Sequence, residues 1–215
     1  SPSAVLPIPS FLCMLTWVAL LRGINVGGHK KILMQGLRDA ITSNLGYDDV
    51  RTYIQSGNIV FRTEDSLTEA DVTTSLSDMI EREYGYTVAV LVLSIRDVKS
   101  ALSANLYGTD RVHLMFCRTR PTPSAIQRVE ARKAPSESIS VIGSVAYIHT
   151  PDGLATSNMA RAIPKDMGVD VTARNTRSVS KIITLAEEVE GGVEKETKGR
   201  GKGKGKARKA KGAGK

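Results

Sequence analysis

Cysteine is nearly absent from this chain: Cys13 and Cys117 are the only two in 215 residues, far apart and without ligand spacing. That excludes a disulfide scaffold and a cysteine-based zinc site, and it fits a reducing cytoplasm. Histidine is almost as scarce. His29, His113 and His149 are scattered, and none fits a nucleophilic triad. No carboxylate pair has the spacing of a general acid and base, since Asp48–Asp49 reads as turn composition. No cluster suggests a metal ion, and no pattern calls for a cofactor. Long hydrophobic runs are missing apart from FLCMLTWVALL, residues 11–21. It is shorter than the roughly 20 residues a membrane span needs. It also lacks the basic start and small-residue cleavage site of a signal peptide. It reads as a buried first strand, and no membrane partner is expected. Met14 is a candidate natural start, with residues 1–13 as a disordered extension carrying Pro and Ser.

Charge is plentiful but unevenly placed. The formal net charge is +8, yet nine Lys and Arg and no acidic residue fall within residues 197–215. Removing those nine from 30 leaves 21 basic against 22 acidic residues, a near-neutral body. The tail is glycine-loosened and of low complexity, and it has too little apolar surface to fold. Its cations are Lys198, Arg200, Lys202, Lys204, Lys206, Arg208, Lys209, Lys211 and Lys215. Such a segment contacts nucleic acid non-specifically through counterion release, or serves only as a solubilising terminus. With no aromatic residue in it, stacking on single strands is not expected.

The apolar periodicity alternates between strand and helix. A strand ending at Val18–Leu21 is followed by a glycine loop and a helix over 34–46, closed by Gly46. Residues 50–62 read as a hairpin turning at Ser56–Gly57, 66–85 as a helix, 86–94 as a buried strand, and the next stretch as a helix capped by Ser94 and Asp97. The order then recurs: strand 111–117, helix 124–133, hairpin 138–150, helix 157–168 interrupted at Pro164, strand 169–174 and helix 178–190. Two β-α-β-β-α-β units, each with one extra helix, predict an α+β fold, a duplicated ferredoxin-like split βαβ. The predicted boundaries are 14–108 for the first half, 109–190 for the second, and 191–215 for a disordered Lys/Gly-rich tail.

Two strand-to-helix junctions are candidate anion sites. In LLRGINVGGHKK, residues 20–31, Gly23, Gly27 and Gly28 would let backbone amides converge on an oxyanion, with Arg22, Asn25, Lys30 and Lys31 beside them. The spacing of Gly23 and Gly28 begins a phosphate-loop motif, but His29 and Lys30 stand where Lys and Ser or Thr belong, which argues against nucleotide hydrolysis. The alternative is a glycine-permissive crossover in which Asn25 ties its own backbone. In ARNTRSVSK, residues 173–181, Arg174, Asn175 and Lys181 offer a second anion site, or Asn175, Thr176 and Ser178 simply cap a helix. The turn QSGN, residues 55–58, is expected at the opposite end of its sheet from the glycine loop.

The stretches WVALLRGINVGGHKKILMQGLRDAI and DVRTYIQSGNIVF, continued by YIHTPDGLATSNM and TARNTRSVSKIITLAEE, closely resemble the family called domain of unknown function 1697, widespread in bacteria. The likeness spans about residues 14–188. It implies a two-part α+β fold built by duplication, and no established activity. The family usually has Ser-Lys where this chain has Ser157–Asn158, and an aromatic residue where it has Thr176. The resulting reading is a cytoplasmic binder of a small anionic or phosphorylated ligand with a nucleic-acid-contacting tail. The alternatives are an enzyme acting on a phosphorylated or carboxylated metabolite, with Arg22, Asn25 and Lys30 orienting it, and a structural scaffold.

Overall fold

The computed structural model describes residues 14–200, with side chains through residue 191. Residues 1–13 and the side chains of the nine tail cations lie outside this description. The first half is β1 (Met14–Arg22), α1 (Met34–Leu45), β2 (Asp48–Tyr53), β3 (Asn58–Glu64), α2 (Glu69–Tyr84) and β4 (Ala89–Ser94), followed by α3 (Ile95–Ser103). The second repeats the order as β5 (Val112–Cys117), α4 (Pro123–Glu130), β6 (Ser138–Ile142), β7 (Val145–His149), α5 (Asn158–Asp166) and β8 (Val171–Asn175), followed by α6 (Thr176–Arg200). Each half forms a four-stranded sheet, ordered β2-β3-β1-β4 and β6-β7-β5-β8, with every neighbouring pair antiparallel.

Local chemistry sets the helix boundaries. Thr68 caps α2 by accepting from the Asp71 N–H, and the Asp71 carboxylate accepts from the Thr68 N–H in return. Ser94, Thr122 and Ser157 cap α3, α4 and α5 by accepting from the N–H groups of Asp97, Ala125 and Ala160. The expected interruption at Pro164 does not occur. Proline sits inside α5, which runs on to Asp166, so the missing N–H costs the helix only one bond near its end. The helix expected to end at residue 190 extends to Arg200.

Three clusters bury the apolar residues. Trp17, Ala19 and Leu21 of β1 face α1 and α2, while Val18 and Leu20 face the other way. This two-sided burial explains why the strand is a continuous apolar run rather than an alternating one. The central cluster joins Val18, Leu20, Val60 and Leu91 of the first sheet to Leu114, Phe116 and Tyr147 of the second. Val98 and Ala101 of α3 and Val179, Ile182, Ala186 and Val189 of α6 complete it. The third cluster packs Met115, Ala146 and Ile148 under Val129 of α4 and Met159 and Ile163 of α5. Helix α6 lies against β1, β2 and β3 as well as its own sheet. The two halves therefore share a core.

One sequence-based expectation is reversed. The QSGN turn is not at the far end from the glycine loop. Leu20 pairs with Asn58, so the start of β3 adjoins the end of β1. Because β3 lies beside β1 and runs antiparallel to it, the β2–β3 turn must stand at the end where the glycine loop leaves the sheet. The approach is close: a Cβ on Gly57 would lie 2.5 Å from the Leu21 Cβ, and its φ is +74°, so only glycine fits.

Candidate functional site

Three motifs meet where β1 ends: the glycine loop, the QSGN turn and the strand-to-helix junction of the second half. Arg174 of β8 reaches across to join them. Its Nη2 donates to the Leu21 carbonyl at 2.8 Å and the Ser56 carbonyl at 3.0 Å, and its Nε donates to Asn58 Oδ1. Asn58 is itself buried, and its Nδ2 donates to Tyr53 O at 3.0 Å and Ser56 Oγ at 2.9 Å. Burial pushes the Arg174 guanidinium down to about 10, which leaves it a full cation at neutral pH. Its hydrogen-bond acceptors are all neutral, so it acts here as a clasp between halves.

The glycine loop is largely occupied with its own structure. Asn25 Oδ1 accepts from the Ile32 N–H at 2.9 Å, while Nδ2 donates to Ile32 O at 3.0 Å and Gln55 O at 2.7 Å. The Asn25 and His29 amides donate to Lys30 O and Val26 O, so they are spent inside the loop. Gly23, Gly27 and Gly28 all have positive φ, at 71°, 57° and 80°, as do Asn25 and Lys30. Lys30 Nζ donates to Thr87 O at 2.6 Å. Arg22 pairs with Asp170 at 3.2 Å, and Arg118 approaches the same carboxylate at 3.9 Å. Lys31 is exposed. At the second junction, Asn175 Oδ1 accepts from the Ser178 N–H at 2.8 Å and caps α6, and Lys181 is exposed on that helix. The structure thus joins Asn25, the QSGN turn and Arg174, which stand in three separate motifs of the sequence, into one assembly, while Arg22 pairs with Asp170 beside it.

A large open concavity lies elsewhere, between the end of α4 and the start of α5. Its volume is about 900 Å³. Sequence reading missed its four cations, Arg132, Lys133, Arg161 and Lys165. Arg132 is paired with Asp166 at 2.9 Å, and Arg161 is held by Ala155 O at 3.1 Å and by Asn158 Oδ1. Lys133 and Lys165 have no ion-pair partner among the described residues. The two other lining carboxylates keep their charge: Glu137 accepts from the Ala134 N–H at 2.9 Å and Asp152 from Ser136 Oγ at 3.0 Å, so the lining carries four cations and three anions. The N-terminus of α5, with its cap Ser157, opens on the same space. The sequence signal for it was the Ser157–Asn158 departure, which lines this cavity.

Among the described residues no three of His, Cys, Asp and Glu are grouped as metal ligands would be, and no helix is long and apolar enough to cross a membrane.

The family model described as "Protein of unknown function (DUF1697)" matches residues 14–147. This chain belongs to that family. The match runs from β1 into β7, and α5, β8 and α6 lie beyond it. No curated protein matches the chain. Among solved structures, conserved bacterial protein SP0830 from Streptococcus pneumoniae is similar at 24% identity, with a TM-score of 0.65. The similarity covers 81% of this chain and 99% of that one, and it shows the fold shared by this DUF1697 member.

Proposed function

We propose that this DUF1697 protein binds a small phosphorylated or carboxylated ligand in the α4–α5 cavity. We further read its two halves, 14–108 and 109–190, as a duplicated ferredoxin-like split βαβ, on their repeated element order and equivalent strand orders. The observation that carries the ligand reading is the pair of lysines, Lys133 and Lys165, without carboxylate partners in a concave, polar cavity. Arg132 and Arg161 are fixed beside them, and the first-turn amides of α5 add positive potential. The glycine loop, whose Arg22, Asn25 and Lys30 are already bonded, serves to build the junction between halves. Scarce cysteine supports reading the protein as cytoplasmic.

A thermal-shift panel of phosphorylated and carboxylated metabolites tests this. A ligand at about 100 times its dissociation constant adds about 2.7 kcal/mol of stability. The shift is expected to disappear in a Lys133→Ala/Lys165→Ala double variant and to survive in Lys31→Ala. The reverse pattern would move the ligand to the glycine loop, and a silent panel would favour a scaffold. Asn158→Lys, which restores the residue that the family resemblance implies, should tighten binding. Turnover of a hit would establish the enzyme alternative.

The nine cations within residues 197–215 favour a second, separate role. We read them as a non-specific contact to nucleic acid.

A further inference from the structure

A second concavity, of about 440 Å³, opens between the two halves. Leu91 and Leu93 of β4 and Ala101 of α3 line one side of it, and Phe116, Val145 and Tyr147 of the second sheet line the other. The Tyr147 hydroxyl is already spent, donating to Ala101 O at 2.8 Å, so the floor is apolar. Cys117 also lines the groove, but burial pushes its thiol up to about 11, which removes it as a nucleophile at neutral pH.

The rim carries both signs of charge. Glu69 opens α2, Asp97 sits in the first turn of α3, and Arg118 follows β5. Asp97 accepts from Ser94 Oγ at 2.7 Å and is committed to its cap. Glu69 has no hydrogen-bond or ion-pair partner within the described residues. Arg118 spends Nη2 on Val90 O at 2.8 Å, and its Nε lies 3.9 Å from Asp170. Nη1 is unengaged among the described residues. Burial holds the Glu69 carboxyl above its usual range, with Asp97 acting the same way and Arg118 opposing them.

We propose that this groove binds a small apolar zwitterion, a free α-amino acid with an aliphatic or aromatic side chain. Its ammonium faces Glu69, its carboxylate faces Arg118, and its side chain lies against Leu93, Ile142 and Val145, the lining apolar residues that keep accessible surface above the buried Leu91, Phe116 and Tyr147. A plain carboxylic acid would leave Glu69 facing a like charge, and a plain amine would leave Arg118 doing so. The volume suits one such molecule.

The test is calorimetry on the full chain with L-leucine and L-phenylalanine, at up to about 10 mM, which reveals millimolar dissociation constants. Isocaproic acid and isoamylamine are the singly charged controls. At least one amino acid should bind saturably, and each control should bind about tenfold more weakly or not at all, as loss of a charge-assisted bond implies. Glu69→Gln and Arg118→Gln should each weaken binding by about the same factor, while Lys133→Ala/Lys165→Ala should leave it unchanged. Absence of heat with both amino acids would overturn the proposal. So would controls binding as tightly as the amino acids, a comparison that needs no variant to fold.

Discussion

The Arg174 guanidinium donates to the main-chain oxygen of Leu21 at 2.8 Å, spanning 153 residues of sequence. One charged side chain from the last strand thereby closes the end of the first strand and the neighbouring turn. Removing it leaves the Leu21 and Ser56 carbonyls and Asn58 Oδ1 without their donor in a partly buried junction. Arg174→Ala should lower unfolding stability by about 3 kcal/mol. Arg174→Lys should recover less than half of that, because an ammonium cannot reproduce the planar fork. Urea denaturation measures both, and a loss below about 0.5 kcal/mol would show that the clasp is incidental.

Asn25 separates a bonding effect from a backbone effect. Its side chain makes three hydrogen bonds, and its φ is 54°. Asn25→Gly keeps the left-handed backbone and loses the bonds, at roughly 2 kcal/mol. Asn25→Ala loses the same bonds and adds about 1 kcal/mol of strain. Equal stability of the two variants would mean that the loop relaxes out of this conformation.

His113 predicts an acid limb in the stability profile. Burial holds its imidazole below the usual 6.5, and Nδ1 is buried without a partner. A depressed native pKa means that the unfolded chain binds the proton more readily. The neutral histidine's contribution is full above pH 6.5 and is lost as pH falls through the native value. The urea midpoint should therefore drop on acidification from about pH 7 to pH 5.5, and His113→Phe should flatten that drop. An unchanged slope in the variant would assign the acid sensitivity to other groups.

Much of the fold is legible in the sequence because its caps and apolar periods are local. Gly46 stops α1, Ser94 starts α3, and the Met34, Leu37 and Ile41 stripe is buried as its spacing requires. What periodicity could not supply is which strands lie side by side. The Leu20–Asn58 register, which sets the QSGN turn against the glycine loop, depends on strand order, and that order is fixed by long-range packing. The same limit hid the role of Arg174, whose acceptors lie in the other half. The cavity cations were missed for a related reason. Arg132 and Lys133 follow one helix, Arg161 and Lys165 belong to another, and only the packing of α4 against α5 brings them together.

The cationic tail gives a prediction that depends on charge alone. Deleting residues 197–215 should abolish binding of the protein to duplex DNA at low salt. If about six phosphates are engaged, the intact chain should lose about a thousandfold in affinity between 50 and 200 mM salt. Undiminished binding by the truncated chain would assign the contact to the body.

Amide chemical-shift mapping with inorganic pyrophosphate locates the anion site on this protein most directly. Saturable shifts at residues 131–137 and 152–166, with residues 22–31 still, are the predicted result. Saturable shifts confined to residues 22–31 would contradict it and return the ligand to the glycine loop.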